Sequence, residues 1–308
     1  MRKRRIILVS GAPRSGTTPV GNLLSRCQSA VSIYEPLGTT GLARVKTRFP
    51  VIGETFSQAE LEELIDDLAA FRFGRLKPQA RRAGPVSLFT KLFGSRTLHS
   101  IRLARLQPWS RTIIWKDPHA ILLVPDVVEA GVDTVITVRT PQAHAASYKR
   151  LGWHSRAAEI YPRWSARFGR CTICESFLER TPDGVQSAAL LWRMSYLPLV
   201  RTGSLERVHL ITSADLETDE RATYGKLIEA LALTPTRGVE RMLSKPRREA
   251  AVADMASKAH DWTRSVSSVN NYWREVLTED DIAEVDRITS DLTPRLFAEP
   301  RDRIHPAG

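Results

Sequence analysis

Apolar and polar positions alternate along the chain in two kinds of run. Arg5 to Ser10 is a short, largely β-branched apolar stretch that stops at a glycine, the pattern of a buried strand. Thr17 to Cys27 carries helical spacing, and Ser57 to Phe71 predicts an amphipathic helix with Ser57 and Glu60 set as a capping box. Arg111 to Trp115 and Thr134 to Val138 read as two further strands, ended by Lys116 and Arg139. Thr140-Pro141 then gives an N-cap with proline at the first helical position. Val185 to Val200 reads as a helix with Pro198 near its end, Arg207 to Ile211 as a strand, and Asp219 to Leu231 as a helix. Thr278 caps a last helix with Ile282, Val285, Ile288 and Leu292 on one face. Strands that alternate with helices predict an α/β fold: one domain over 1–308, with a central parallel sheet and helices on both faces.

Length and composition agree. The chain has 308 residues with 42% hydrophobic content, enough for one large core. No stretch approaches a membrane span, and the apolar run Ile6 to Val9 is too short for a signal-peptide core. The expected compartment is the cytoplasm, soluble or peripheral to a membrane. Cys27, Cys171 and Cys174 are too few for a disulfide scaffold. Cys171 and Cys174 form a single CxxC without a second pair or a histidine at ligand spacing, so they read as ordinary thiols in a loop or at a helix start.

Charge changes the picture more. Net charge is +11, and all of it lies in one interval. Between Asp67 and Asp117 there is no acidic residue and there are eleven basic ones, including Arg72, Arg75, Lys77, Arg81, Arg82, Lys91, Arg96 and Lys116. Gly84-Pro85 marks a turn within it, and Val86 to Leu106 predicts irregular helices. A block of one sign, at about 68–116, draws anions and is expected to be a basic insertion or lid on the acceptor side of a site.

The sharpest local signal is Gly11-Ala12-Pro13-Arg14-Ser15-Gly16-Thr17-Thr18. Strand, glycine loop and helix in this order aim backbone N–H groups and a helix N-terminus at a phosphate. The spacing is that of a Walker loop, but Thr17 stands where that motif needs lysine. The cation is instead Arg14, inside the loop, beside three hydroxyls. Such a loop suits a phosphate bearing a leaving group and no metal.

With this loop the chain resembles the sulfotransferases that use 3′-phosphoadenylyl sulfate (PAPS), in the arginine-containing form of the bacterial carbohydrate and tyrosylprotein enzymes. The resemblance covers roughly 5–36, 111–150, 207–235 and 262–292. It implies that Gly11, Pro13, Arg14, Ser15, Gly16, Thr17 and Thr18 hold the 5′-phosphosulfate. It implies that Arg139 and Ser147, eight residues apart at a strand end and in the next helix, hold the 3′-phosphate. Glu35, in Tyr34-Glu35-Pro36 at the family's second strand end, resembles the base that takes the acceptor proton. Lys116, in Lys116-Asp117-Pro118-His119, and Arg14 would neutralise the departing oxygen. His119 is the rival base. His144 is assigned no role. Arg264, Ser265 and Ser268 match a late loop that closes over the nucleotide.

What the resemblance implies is transfer of a sulfuryl group from PAPS to an acceptor hydroxyl, most simply on an anionic glycan or glycolipid. The product would be adenosine 3′,5′-bisphosphate. A protein tyrosine and a secondary metabolite remain alternative acceptors, and the basic block offers peripheral membrane contact. Two other classes fit part of the pattern. One is a P-loop kinase or nucleotide-binding protein with a degenerate loop. The other is a polyanion- or nucleic-acid-binding module on residues 72–111, which lacks an aromatic-rich recognition motif, so no specific nucleic acid partner is expected.

Overall fold

Alternating side chains on the strands decide the architecture. In the computed structural model, residues 3–78, 95–246, 265–298 and 304 are described. On β1 (Arg5–Ser10), Ile6 and Leu8 enter one apolar cluster while Ile7 and Val9 enter another. On β3 (Thr112–Lys116), Ile113 and Trp115 face the first cluster and Ile114 the second. On β4 (Asp133–Val138), Ile136 and Val138 face the first and Val135 the second. A sheet buried on both faces needs helices on both, which is the α/β arrangement the pattern predicts.

Five parallel strands form the sheet in the order β2-β3-β1-β4-β5, with β2 at Ala30–Tyr34 and β5 at His209–Thr212. One face is covered by α1 (Thr17–Leu24) and, later in the chain, by Tyr224, Leu227, Ile228 and Val239. The other carries α2 (Gln58–Ala69), α3 (Arg96–Arg105), α4 (Val124–Glu129), α5 (Pro141–Leu151), α6 (Ala157–Phe168), α7 (Thr172–Leu178) and α8 (Gly184–Arg201). After β5 come α9 (Ser213–Ala230), α10 (Arg237–Leu243), α11 (Val266–Asn271), α12 (Trp273–Val276), α13 (Glu279–Thr289) and α14 (Thr293–Phe297). From β1 the chain passes first to β2 and β3 on one side and then to β4 on the other. The crevice between the carboxyl ends of β1 and β4 is therefore a topological switch point, where open α/β sheets bind ligands.

Local expectations and structure differ in instructive ways. The capping box of Ser57 and Glu60 is present, Glu60 N–H to Ser57 Oγ at 3.1 Å and Ser57 N–H to Glu60 Oε2 at 2.7 Å. α1 ends at Leu24 rather than Cys27. The helix expected from Asp219 begins at Ser213, capped by Thr212, and kinks at Asp219 (φ −155°, ψ 95°). Asp219 Oδ1 accepts the Ala222 N–H at 2.8 Å, so the helix start read from sequence sits at the kink. The late loop from Ser265 is a helix, α11, whose N-cap is Ser265 (Oγ to Ser268 N–H, 3.0 Å). Arg264, Arg81, Arg82, Lys91 and Gly84-Pro85 lie outside the described residues. Among the described residues no helix is long and apolar enough to cross a membrane.

The two thiols are less ordinary than expected. Cys171 caps α7, its Sγ accepting the Cys174 N–H at 3.3 Å and the Arg193 Nε–H at 3.3 Å. Hydrogen bonds from Cys174 and Arg193 outweigh burial and hold the Cys171 thiol well below its usual range. Arg193 also grips Asp291 with both nitrogens, at 2.5 and 2.9 Å, which ties the C-terminal helices to α8.

Candidate active site

The carboxyl ends of β1, β2, β3 and β4 deliver Ser10, Tyr34, Lys116 and Val138 to one edge of the sheet, and the residues that follow them line a cleft of about 770 Å³. Pro13 to Thr18, Glu35, Lys116, His119, Arg139 and Ser265 all line it. Gly11, Ser147 and Ser268 do not.

The glycine loop is built by close approach. A Cβ on Gly11 (φ +154°) would lie 2.4 Å from the Thr137 carbonyl oxygen and 2.6 Å from Ser15 Oγ, so only glycine lets the loop lie against β4. Gly16 (φ +100°) starts α1 from the left-handed region. Ser15 Oγ and Thr137 Oγ1 share a hydrogen bond at 2.9 Å. A buried phenol completes the clamp: Tyr196, on α8, accepts the Ala12 N–H at 3.0 Å and donates to the Thr137 carbonyl at 2.8 Å. Four residues before it, Trp192 Nε1–H donates to the Arg139 carbonyl at 2.8 Å. One helix thus fixes both the loop and the end of β4.

Arg14 leaves the loop with φ +75° and its Nε–H donates to Ser147 Oγ at 3.0 Å. The sequence expectation put Arg14 with the 5′ group and Ser147 with the 3′ group; the structure joins them. Arg139 and Arg150 complete the cluster around the Tyr272 ring, at 5.4 and 5.8 Å from its centroid. Burial first, then Arg139 and Arg150 against opposing Tyr272, draw the Arg14 guanidinium down to about 10. Burial alone would raise the Tyr272 phenol, but Arg139, Ser147 and Arg150 together hold it below its usual range. Arg139 donates to the Val269 carbonyl on α11, and its Nε is buried without a hydrogen-bond partner. Guanidinium groups gathered against a phenol form a place for an anion.

On the other side of the loop, β2 and β3 run in register with Tyr34 opposite Lys116. Their ends bring Glu35 Oε1 to 2.6 Å from Lys116 Nζ. Lys116 is 3% exposed and Glu35 23%, so the carboxylate faces the cleft with the ammonium behind it. Lys116 Nζ also lies 4.1 Å from the centre of the Tyr34 ring. Glu35 has φ +46°, an outlier for a residue with a Cβ, and such strain persists only where its surroundings impose it. Those surroundings are visible. The Glu35 N–H donates to the Lys116 carbonyl at 2.7 Å, and Gly38 and Gly41 fold the next turn so tightly that added Cβ atoms would meet Glu35 and Pro36 at 3.0 and 2.0 Å.

Asp117, fully buried, ties the two halves together. Its Oδ2 accepts the Leu37 N–H at 2.7 Å, fixing the turn after Glu35, and its Oδ1 accepts the His119 N–H at 2.9 Å. The same Oδ1 lies 3.3 Å from His119 Nδ1, and Phe49 packs on the imidazole with ring centres 5.1 Å apart. Sequence reasoning named Lys116 and His119 but missed Asp117 between them; an Asp before proline was the available signal. It also missed Arg150, Tyr272, Trp192 and Tyr196. The last two read as ordinary core on a helix and gave no signal.

His144 is wholly buried beneath the loop, against the backbone of Pro13, and burial first, then Arg139, pulls its imidazole down to about 3. Among the described residues, no three His, Cys, Asp or Glu side chains are grouped to share a metal ion. Of the basic block's described residues only Lys116 lines the cleft; Arg72 pairs with Asp67, Arg105 lies over Phe73, and Lys77 donates to the Gly38 carbonyl. α3 instead packs beside β2, where Ser100 Oγ accepts the Tyr34 N–H at 3.0 Å.

No protein-family model matches the chain, and no curated protein sequence matches it. Several solved structures are similar to it, among them the following two. The sulfotransferase domain of the Synechococcus PCC 7002 olefin synthase aligns with 92% of this chain and 95% of its own, at 16% identity and TM-score 0.45. Mouse sulfotransferase SULT7A1, complexed with PAP, aligns with 94% of this chain and 85% of its own, at 14% identity and TM-score 0.43. Both are sulfotransferases.

Proposed function

We propose that the protein moves a sulfuryl group from PAPS to an acceptor hydroxyl and releases adenosine 3′,5′-bisphosphate. One observation carries this reading: a single cleft joins a lysine-free phosphate loop, a guanidinium cluster and a carboxylate on separate walls. The residues fit such a nucleotide. The loop from Gly11 to Gly16 leads into the start of α1 and offers a small anionic group the N–H groups there. Arg139, with its unpartnered Nε, and Arg14 with Ser147 suit a second phosphate. Ile211, Leu216, Val266 and Val269 line the same cleft and offer apolar surface to a base.

Transfer breaks the S–O bond to the 5′-phosphate, forms one to the acceptor oxygen and sheds the acceptor proton. Glu35 takes that proton. Lys116, 2.6 Å from it, keeps the carboxylate in place and lends positive charge as the leaving oxygen gains negative charge. Arg14 acts with Arg139 and Ser147 on the nucleotide rather than alone on the leaving group. Tyr34-Glu35-Pro36, by its resemblance to enzymes of glycans, suggests a glycan or glycolipid hydroxyl as acceptor.

The Asp117–His119 contact supports a second choice of base, since a carboxylate at Nδ1 orients an imidazole for proton uptake. Two variants separate them. Glu35→Gln is expected to lower kcat by about 10²–10⁴-fold and leave bisphosphate affinity within about twofold, while His119→Asn keeps most activity. The reverse order of loss would hand the proton to His119.

A further inference from the structure

Beyond Arg14, whose guanidinium carbon lies 5.9 Å from the centre of the Trp153 ring, the cleft is closed by two segments. One is 46–49, beyond the turn that holds Glu35; the other is 153–163, running into α6. Arg163 stitches them together, donating to the carbonyls of Arg48 at 2.9 Å, Phe49 at 3.4 Å and Glu159 at 2.8 Å. Lys46, Arg48 and Arg156 line this part of the cleft and are exposed, with Glu159 as the carboxylate among them. Arg156 and Glu159 pair at 3.1 Å, but with side chains 60% and 64% exposed the pair is a weak solvent contact. The balance here is cationic, and a cleft lined by one sign concentrates ligands of the other.

Two aromatic rings line the same cleft. Phe49 is buried on His119, and Trp153, 43% exposed, leans edge-on against Tyr148 at 6.0 Å. An exposed tryptophan beside reactive groups gives a face on which a ring can lie. The basic block read from the sequence does not supply these charges; among the described residues it gives the cleft Lys116 alone.

We infer that segments 46–49 and 153–163 form the acceptor subsite, and that it takes an alcohol or phenol on a ring framework that also bears a carboxylate, sulfate or phosphate. The ring lies at Phe49 and Trp153, the anion meets Lys46, Arg48 and Arg156, and the hydroxyl faces Glu35. The place of the hydroxyl rests on the sulfuryl-transfer reading; the charge preference rests on the walls.

The test is fluorescence binding of umbelliferone and of its ring-carboxylated derivative to the protein saturated with adenosine 3′,5′-bisphosphate. The carboxylated compound is expected to bind about tenfold more tightly at low salt, with the gap narrowing as salt is added. Lys46→Glu with Arg156→Glu is expected to erase the gap, and Lys46→Arg to keep it, with melting curves confirming that each variant folds. Equal affinity for the two compounds, binding of neither, or a gap that survives the double variant would overturn the inference. If the bisphosphate itself does not bind, the nucleotide reading fails separately, and the same two titrations on the protein alone still judge the acceptor wall.

Discussion

At the scale of single residues, the site is marked by backbone that side chains normally avoid. Arg14, Glu35 and Phe49 all have positive φ and all line the cleft. Arg14 and Glu35 were legible in the sequence because loop and strand-end motifs named them, but their contacts were not. Nothing in the spacing of Arg14 and Ser147 says that they bond to each other, since 133 residues separate them and only the packing of α5 behind the loop joins them. Arg139 carries a sharp expectation. Charge-assisted hydrogen bonds are worth about 1.5–3 kcal/mol, so Arg139→Ala should weaken adenosine 3′,5′-bisphosphate binding by about 10–100-fold by calorimetry. An unchanged affinity would remove Arg139 from the nucleotide site. His144 carries another. Folded, it stays neutral down to about pH 3, whereas in the unfolded chain it takes a proton below about 6.5. The unfolded state therefore gains as pH falls between those values, and this group should lower stability by about 1.4 kcal/mol per pH unit there. Urea unfolding at pH 6 and pH 5 is expected to show that loss in the native sequence and a shallower one in His144→Gln; equal slopes would show that the imidazole is not buried neutral.

At the scale of elements, strands and long helices were readable because their apolar periods are regular. Four of the five strands follow from pattern, and β2, whose AVSIY is short and interrupted by Ser32, came only with the resemblance. Helices α6 and α7 were missed: Pro162 lies inside α6, and α7 is seven residues starting at a cysteine cap. Both are held by tertiary contacts, such as Trp164 Nε1–H on the Met194 carbonyl at 2.8 Å. The functional weight of α8 was also hidden, because a helix buried all round shows no site-facing stripe. Its Tyr196 tests that weight. Tyr196→Phe leaves the buried Ala12 N–H without its partner, at a cost of about 1–3 kcal/mol. The melting temperature should fall by ~2–4 °C for each kcal/mol lost, and nucleotide affinity should fall with it. A variant with unchanged melting and binding would show that the loop holds its shape without the phenol.

At the scale of the whole molecule, net charge and site charge are different quantities. The excess of +11 is confined to one interval of sequence, yet among the described residues that interval gives the cleft Lys116 alone, and its other cations come from the loop, the end of β4, α5 and the segments 46–48 and 156–163. The switch point between β1 and β4 gathers these distant pieces, which a reading of composition along the chain does not show. In the proposed reaction this gathered site reads a nucleotide phosphorylated at both 5′ and 3′ positions. Calorimetric titration of adenosine 3′,5′-bisphosphate, set beside ATP with Mg²⁺, tests it most directly. Saturable binding of the bisphosphate with little or none of ATP is the expected result; tight ATP binding with no bisphosphate binding would contradict it.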